Sequence, residues 1–223
     1  MAFEKLLILE STWADEKEYI SDSRSTAKIY QSLETLLYIH EDPINIIQRP
    51  LLASRYIRDI KQFVLLPANK KGPNIIVLSA HGKHEFIRKA NKRKHRRILT
   101  AIDGEINISR EMRKISNVLN STIFILDACD IGEKISSFRK ATNALGVIGF
   151  SKIVDWIDST VFILVLLLKF QEKGIFRMGR ISSARPFAVL KAMEKGLYKP
   201  LFKNLGVEYD FATRRFHVLY QGK

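Results

Sequence analysis

The chain of 223 residues contains one cysteine, Cys129. A single thiol excludes an internal disulfide framework and a cysteine-rich zinc site. It fits a reducing compartment, so the expected location is cytoplasmic. Glycine and proline are sparse, at 11 and 6, and there is no internal repeat or low-complexity linker. With 46% hydrophobic and 27% charged residues, this composition argues for a packed domain against disorder. No P-loop and no GxGxxG stretch is present, which counts against a nucleotide-binding domain. Long apolar runs are also missing. The longest, Val161–Leu168, has eight residues and meets Lys169 at once, whereas a bilayer needs about 20; it reads as part of a buried helix. The opening MAFEKLLILEST lacks the basic region and small-residue cleavage site of a signal peptide. Acids are outnumbered, 23 against 37 Lys and Arg, for a formal net charge of +14. Such a charge attracts something acidic: nucleic acid, anionic lipid or an acidic protein.

What is present is an alternation of apolar strands and amphipathic helices over a single domain, 1–223. Strands are expected at 5–12, 44–50, 74–80, 121–128 and 144–151, with strand material again at 206–220. Helices are expected at 23–40, 51–66, 110–120, 131–142, 153–172 and 182–196. Residues 85–109 alternate at each end and contain Asp103-Gly104, which predicts a small hairpin insertion outside the main sheet. Strands alternating with helices predict an α/β fold, a mostly parallel sheet covered on both faces. Working groups in such sheets gather at the carboxyl ends of strands.

Two strand ends carry chemistry: SAHG at 79–82 and DACDIG at 127–132. A nucleophilic cysteine needs a base, oxyanion donors and partial exposure. If these two strands are neighbours, their ends lie about 5 Å apart, so that the His81 imidazole approaches the Cys129 thiol. Gly82 lets the backbone approach a substrate closely. The helix expected from 131 would present its positive end to the sulfur. Against this stands the ordinary fate of a lone cysteine, burial in a core. His40, His84, His95 and His217 have no matching context and read as surface or structural residues. Asp155 and Asp158 suit the first turn of a helix, and Trp156 reads as core.

VLSAHG (77–82) and LDACDIG (126–132), 48 residues apart from His81 to Cys129, resemble the motifs of caspase-like cysteine peptidases, for which a separation of about 50 residues is typical. Within that clan the chain is similar to the bacterial CHAT group, with Ile131 where that pattern has threonine. GVIGFSKIVDWIDS (146–159) resembles the strand-to-helix segment of the same group. The resemblance implies a caspase-like three-layer sandwich and a His81–Cys129 dyad. It also implies an oxyanion hole from Gly82 and Cys129, no metal and no organic cofactor. It places the residue two before the cysteine, Asp127, in the P1 pocket, with Glu10 at the end of the first strand beside it and Ser151 on the rim. A carboxylate there would favour a basic P1 side chain; capping a helix or pairing with an arginine is the other reading of Asp127. The implied context is an activating protease of bacterial immunity and cell death, antiviral defence or gasdermin cleavage among them. Its partners would be a protein substrate and an activating partner or ligand.

IRKANKRKHRRIL (87–99) holds seven Lys and Arg from Arg88 to Arg97. It reads as a solvated loop, a contact for nucleic acid or an acidic partner, or a site of self-cleavage. The rival to the peptidase is accordingly a non-catalytic module of the same fold that binds through this basic face.

Overall fold

The computed structural model describes residues 3–11, 26, 29–30, 32–33, 35, 44–66, 69, 73–89, 92–176 and 183–212, without the side chains of 3–4, 44–45, 86–89 and 92–95. The main sheet runs β2 (Ile44–Pro50), β1 (Phe3–Glu10), β3 (Asn74–Ser79), β7 (Thr122–Asp127), β8 (Gly146–Phe150), β9 (Val207–Phe211). All neighbours are parallel except β8 and β9. Every residue of β3, β7 and β8 is buried, which is why these strands are continuous apolar runs with no polar alternation.

Successive side chains of a strand face opposite ways, and the sheet carries one core on each face. Leu6, Ile8, Ile75, Val77, Ile123 and Ile125 pack on one side against Tyr30 and helices α4 (Trp156–Glu172), α5 (Ala184–Lys195) and α6 (Lys199–Leu205). Leu7, Leu9, Ile76, Leu78, Phe124 and Leu126 pack on the other, against α1 (Tyr56–Leu65) and α3 (Ile135–Thr142). The expected three layers are therefore present. At the edge strand, buried Asp59 of α1 accepts from Arg49 and Arg55, each at 2.9 Å, pinning the helix to β2.

A second sheet, β4 (His81–Lys89), β5 (Lys92–Ala101) and β6 (Gly104–Asn107), is antiparallel. It enlarges the predicted hairpin to three strands. Gly104, at φ 142°, makes the tight β5–β6 turn, and the neighbouring Asp103 carboxylate accepts from the Ala53 and Ser54 amides before α1.

Several expectations are corrected. His81, expected at the end of the third strand, opens β4. The helix expected at 110–120 is a short helix, α2 (Ile108–Glu111), continued as 3-10 turns through Val118. The helix expected from 131 begins at Ile135, because 130–134 form a turn with Asp130 and Lys134 at positive φ. Its first turn is thus several residues from Cys129. Helix α6 was not foreseen, since seven residues show too little periodicity. Helix α4 is not wholly buried: Ile157 and Val161 are exposed, and Trp156 is half-buried. Of the helix expected at 23–40, positions 29, 30, 32, 33 and 35 are helical and most of the rest lies outside the described residues. So do His40, His217, the His95 side chain and the end of the strand material after 212. Among the described residues no helix is long and apolar enough to cross a membrane.

Candidate active site

The site is set by the register of β3 against β7. Ser79 pairs with Asp127, and the Ala80 amide donates to the Asp127 carbonyl at 3.1 Å. Two residues further along each chain come His81 and Cys129, so the sequence separation of the two motifs equals the register offset. Gly82 lies hard against the partner loop: a Cβ there would stand 2.7 Å from Ala128 Cβ and 2.9 Å from the Cys129 carbonyl oxygen. His81 is exposed, and Cys129 is partly buried with its thiol 3.8 Å from the Val154 carbonyl. Asp130, next to the cysteine, has φ 56°, an uncommon conformation for a residue with a side chain and one that concentrates at functional sites. Because Gly82 has no room for a methyl group, Gly82→Ala is expected to push the 128–131 loop away. The cost is about 1–3 kcal/mol, read as a lower melting temperature in thermal denaturation.

Below the pair lies a row of polar groups on one face of the sheet. Glu10 is level with Ser79, and Ser79 with Asp127. The Ser79 hydroxyl donates to Asp127 Oδ2 at 2.8 Å, while Oδ1 has no hydrogen-bond partner. Asp127 is fully buried, and burial pushes its carboxyl up to about 6; the nearby Ser159 and Ser79 hydroxyls oppose this and the Glu10 charge adds to it. Glu10 accepts from the Thr26 amide at 2.8 Å, the Thr26 hydroxyl at 2.7 Å and Gln48 at 2.8 Å. Tyr30 is buried beside both acids, its hydroxyl without a hydrogen-bond partner among the described residues; burial and the charges of Asp127 and Glu10 hold its pKa well above the ordinary range. Ser151 points elsewhere: its hydroxyl donates to the Gly206 carbonyl at 2.9 Å. Asp155 caps α4 through the Ile157 amide at 2.8 Å.

Four residues of this region were not singled out by the motifs. Tyr30 and Ser79 complete the buried acidic row. Ser79 had a signal, since it precedes His81 by two as Asp127 precedes Cys129. His84, expected to be a surface or structural residue, is structural: its side chain is enclosed and faces Glu133 at 3.1 Å. Arg97 is 1% exposed. Its guanidinium donates to the carbonyls of Ile131 and Lys134, each at 2.9 Å, and to that of Glu133. It also lies over the Phe138 ring at 5.7 Å, and burial lowers its pKa to about 10. The last arginine of the basic stretch therefore straps the turn that follows Cys129. Gly132 closes the other side of that turn, its amide donating to the Phe150 carbonyl at 2.7 Å. Removing the strap takes the guanidinium from all three carbonyls, of which that of Lys134 keeps the Ser137 amide and hydroxyl as donors, so Arg97→Met is expected to cost about 3 kcal/mol. For a chain of this size that lowers the melting temperature by roughly 10 °C in calorimetry.

No family model matches the sequence, and a search of curated proteins finds no match. Among solved structures, a secreted C11 cysteine protease from Bacteroides thetaiotaomicron in complex with an irreversible peptide inhibitor is similar at 10% identity and a TM-score of 0.45, over 75% of this chain and 54% of that one. A structure of a secreted C11 cysteine protease from the same organism, iotapain, is similar at 13% identity and a TM-score of 0.45, over 89% of this chain and 64% of that one. The chain thus spans about half to two thirds of the length of these proteins.

Proposed function

We propose that this chain is a cysteine endopeptidase. In this reading Cys129 attacks the peptide carbonyl, while His81 takes the thiol proton and returns it to the leaving amine. The amides of Gly82 and Cys129 hold the oxyanion. The observation that supports it best is the β3–β7 register, which brings the two strand ends level, together with the tight approach of Gly82 to the Cys129 backbone. The chemistry needs no metal or organic cofactor.

Asp127, with Glu10 behind it, selects a basic P1 side chain of a protein substrate. A buried carboxylate beside a second acid gains from a cation placed against it. In this structure Asp127 is closed to solvent, so a P1 side chain reaches it after the Tyr30 side chain moves aside. That opening is the step assigned to an activating partner or ligand. Membership of the CHAT group, a cytoplasmic location, and a role in antiviral defence or gasdermin-type effector cleavage belong to this proposal through the motif resemblance.

The rival, a non-catalytic module binding nucleic acid or an acidic partner through the basic stretch, loses one of its seven cations, because Arg97 is turned into the protein. A fluorogenic peptide panel with Arg, Lys, Gln and Asp at P1 separates the two. Hydrolysis of the Arg and Lys peptides well above the Asp peptide is expected, and equal, background rates across the panel, with candidate activators added, would sink the peptidase.

A further inference from the structure

A cleft of about 550 Å³ opens between the start of α1, strands β5 and β6 and helix α2. Its size is that of a small-molecule site, for which about 300–1,000 Å³ is usual. Ile57, Ile98 and Ile106 supply apolar wall, and Arg96, Arg110 and Lys114 supply cations. Two acids, Glu105 and Glu111, share the lining. Glu105 is engaged at 3.0 Å by Lys83, which lies outside it, and Glu111 is held by Lys114 and, at 3.7 Å, Arg110. Arg96 faces Glu85 at 3.8 Å, so with Lys83 and Glu85 included four cations stand against three acids, a small positive excess. Just beneath the wall lie two donors with no acceptor among the described residues, the Tyr56 hydroxyl and the Arg96 Nε–H, which reach a ligand once their side chains turn toward the cleft. A buried donor left unpaired costs about 1–3 kcal/mol, and an oxygen-rich ligand that reached them would recover it.

Arg96 and Arg97 are consecutive on β5, so they face opposite ways. One lines the cleft, and the other holds the carbonyls of Ile131, Glu133 and Lys134 behind Cys129. We propose that this cleft binds a small ligand with an apolar body and an anionic head, a carboxylate or a phosphate, and that through β5 the ligand stiffens the turn 130–134. The regulatory meaning of that turn rests on the peptidase reading; binding and stiffening do not.

The test uses the full chain as Cys129→Ala, with phenyl phosphate and benzoate as probes and benzyl alcohol as the uncharged control. At about ten times its Kd an anionic probe is expected to raise the melting temperature by about 3 °C. It is also expected to slow amide hydrogen exchange at 130–134. Tyr56→Phe and Arg96→Gln should each weaken binding about tenfold, the effect of losing one hydrogen bond to a charged group. Tyr56→Phe keeps the ring and its packing, so its folding is not in question. The proposal is overturned by any of three results: neither anionic probe binds, benzyl alcohol binds as tightly, or exchange at 130–134 is unchanged on saturation. Because no readout depends on hydrolysis, an inactive wild type beside a binding cleft would count against the peptidase alone.

Discussion

Replacing Cys129 by alanine is expected to abolish hydrolysis of an Arg-P1 peptide by the activated wild type, with kcat/KM falling by a factor on the order of 10⁴ or more. His81→Ala should fall nearly as far, and the double variant no further. A nucleophile and its base act as one unit, so removing either removes nearly everything the pair contributes. Stability should hardly move. Cys129 is only partly buried and His81 is exposed, so neither side chain fills much core. Thermal melts beside the rate measurements make the distinction: loss of rate with an unchanged melting temperature is the signature of lost chemistry. A Cys129→Ala protein that retains the wild-type rate would end the assignment, and a Ser or Thr near the same rim would then have to be sought as nucleophile.

Asp127→Asn is the second large effect, and it is expected to act in opposite directions on activity and stability. With the carboxylate gone, the pocket has lost the group that pairs with a basic side chain. Discrimination of Arg over Gln at P1 should shrink by a factor on the order of 10²–10³, the worth of a desolvated charge pair. The folded carboxyl keeps its proton up to about pH 6, against 3.8 for an ordinary aspartate. Between those values the folded state binds more protons than the unfolded one, so stability falls as pH rises through this window. Above it the whole cost of a buried charge is present, at most about 3 kcal/mol for a shift of this size. Asparagine carries no charge and still offers an oxygen to the Ser79 hydroxyl. The variant should therefore melt higher than wild type at pH 8, with the gain fading toward pH 4. In the wild type, the Arg-to-Gln preference should itself fall as pH drops below about 6, since a protonated Asp127 no longer attracts a cation. A variant that gains stability but keeps its P1 preference would assign Asp127 a structural role.

The two predictions bear on different links. Cys129 and His81 stand at the solvent edge, where a substitution alters chemistry without disturbing packing. Asp127 stands one layer below, where the burial that makes it costly to the fold is also what would make it selective. Its partner Glu10 is partly spent on Thr26 and Gln48, so Glu10→Gln should weaken its hold on Thr26 more than it alters selectivity.

Layers and motifs are legible in the linear sequence. The apolar centres IIVL (75–78) and IFIL (123–126) are the mark of strands covered on both faces, and their alternation with helices leaves little choice but a mostly parallel sheet. His81 with Gly82, and Cys129 two residues past Asp127, were equally legible, because short motifs survive as linear text. Tertiary structure alone decided how these pieces meet. That Ser79 lies level with Asp127, so that both motifs end at one height, depends on how side chains of separate strands interlock, and no local periodicity encodes that register. That Tyr30 joins Glu10 and Asp127 follows from the packing of a helix whose own sequence says only which face is apolar. Arg97 shows the limit most plainly. In a run of seven basic residues every rule of solvation places it in water, since a buried guanidinium is costly without partners. It lies inside because the turn behind Cys129 offers three backbone carbonyls and an aromatic ring at that one place, and only the folded chain brings them there.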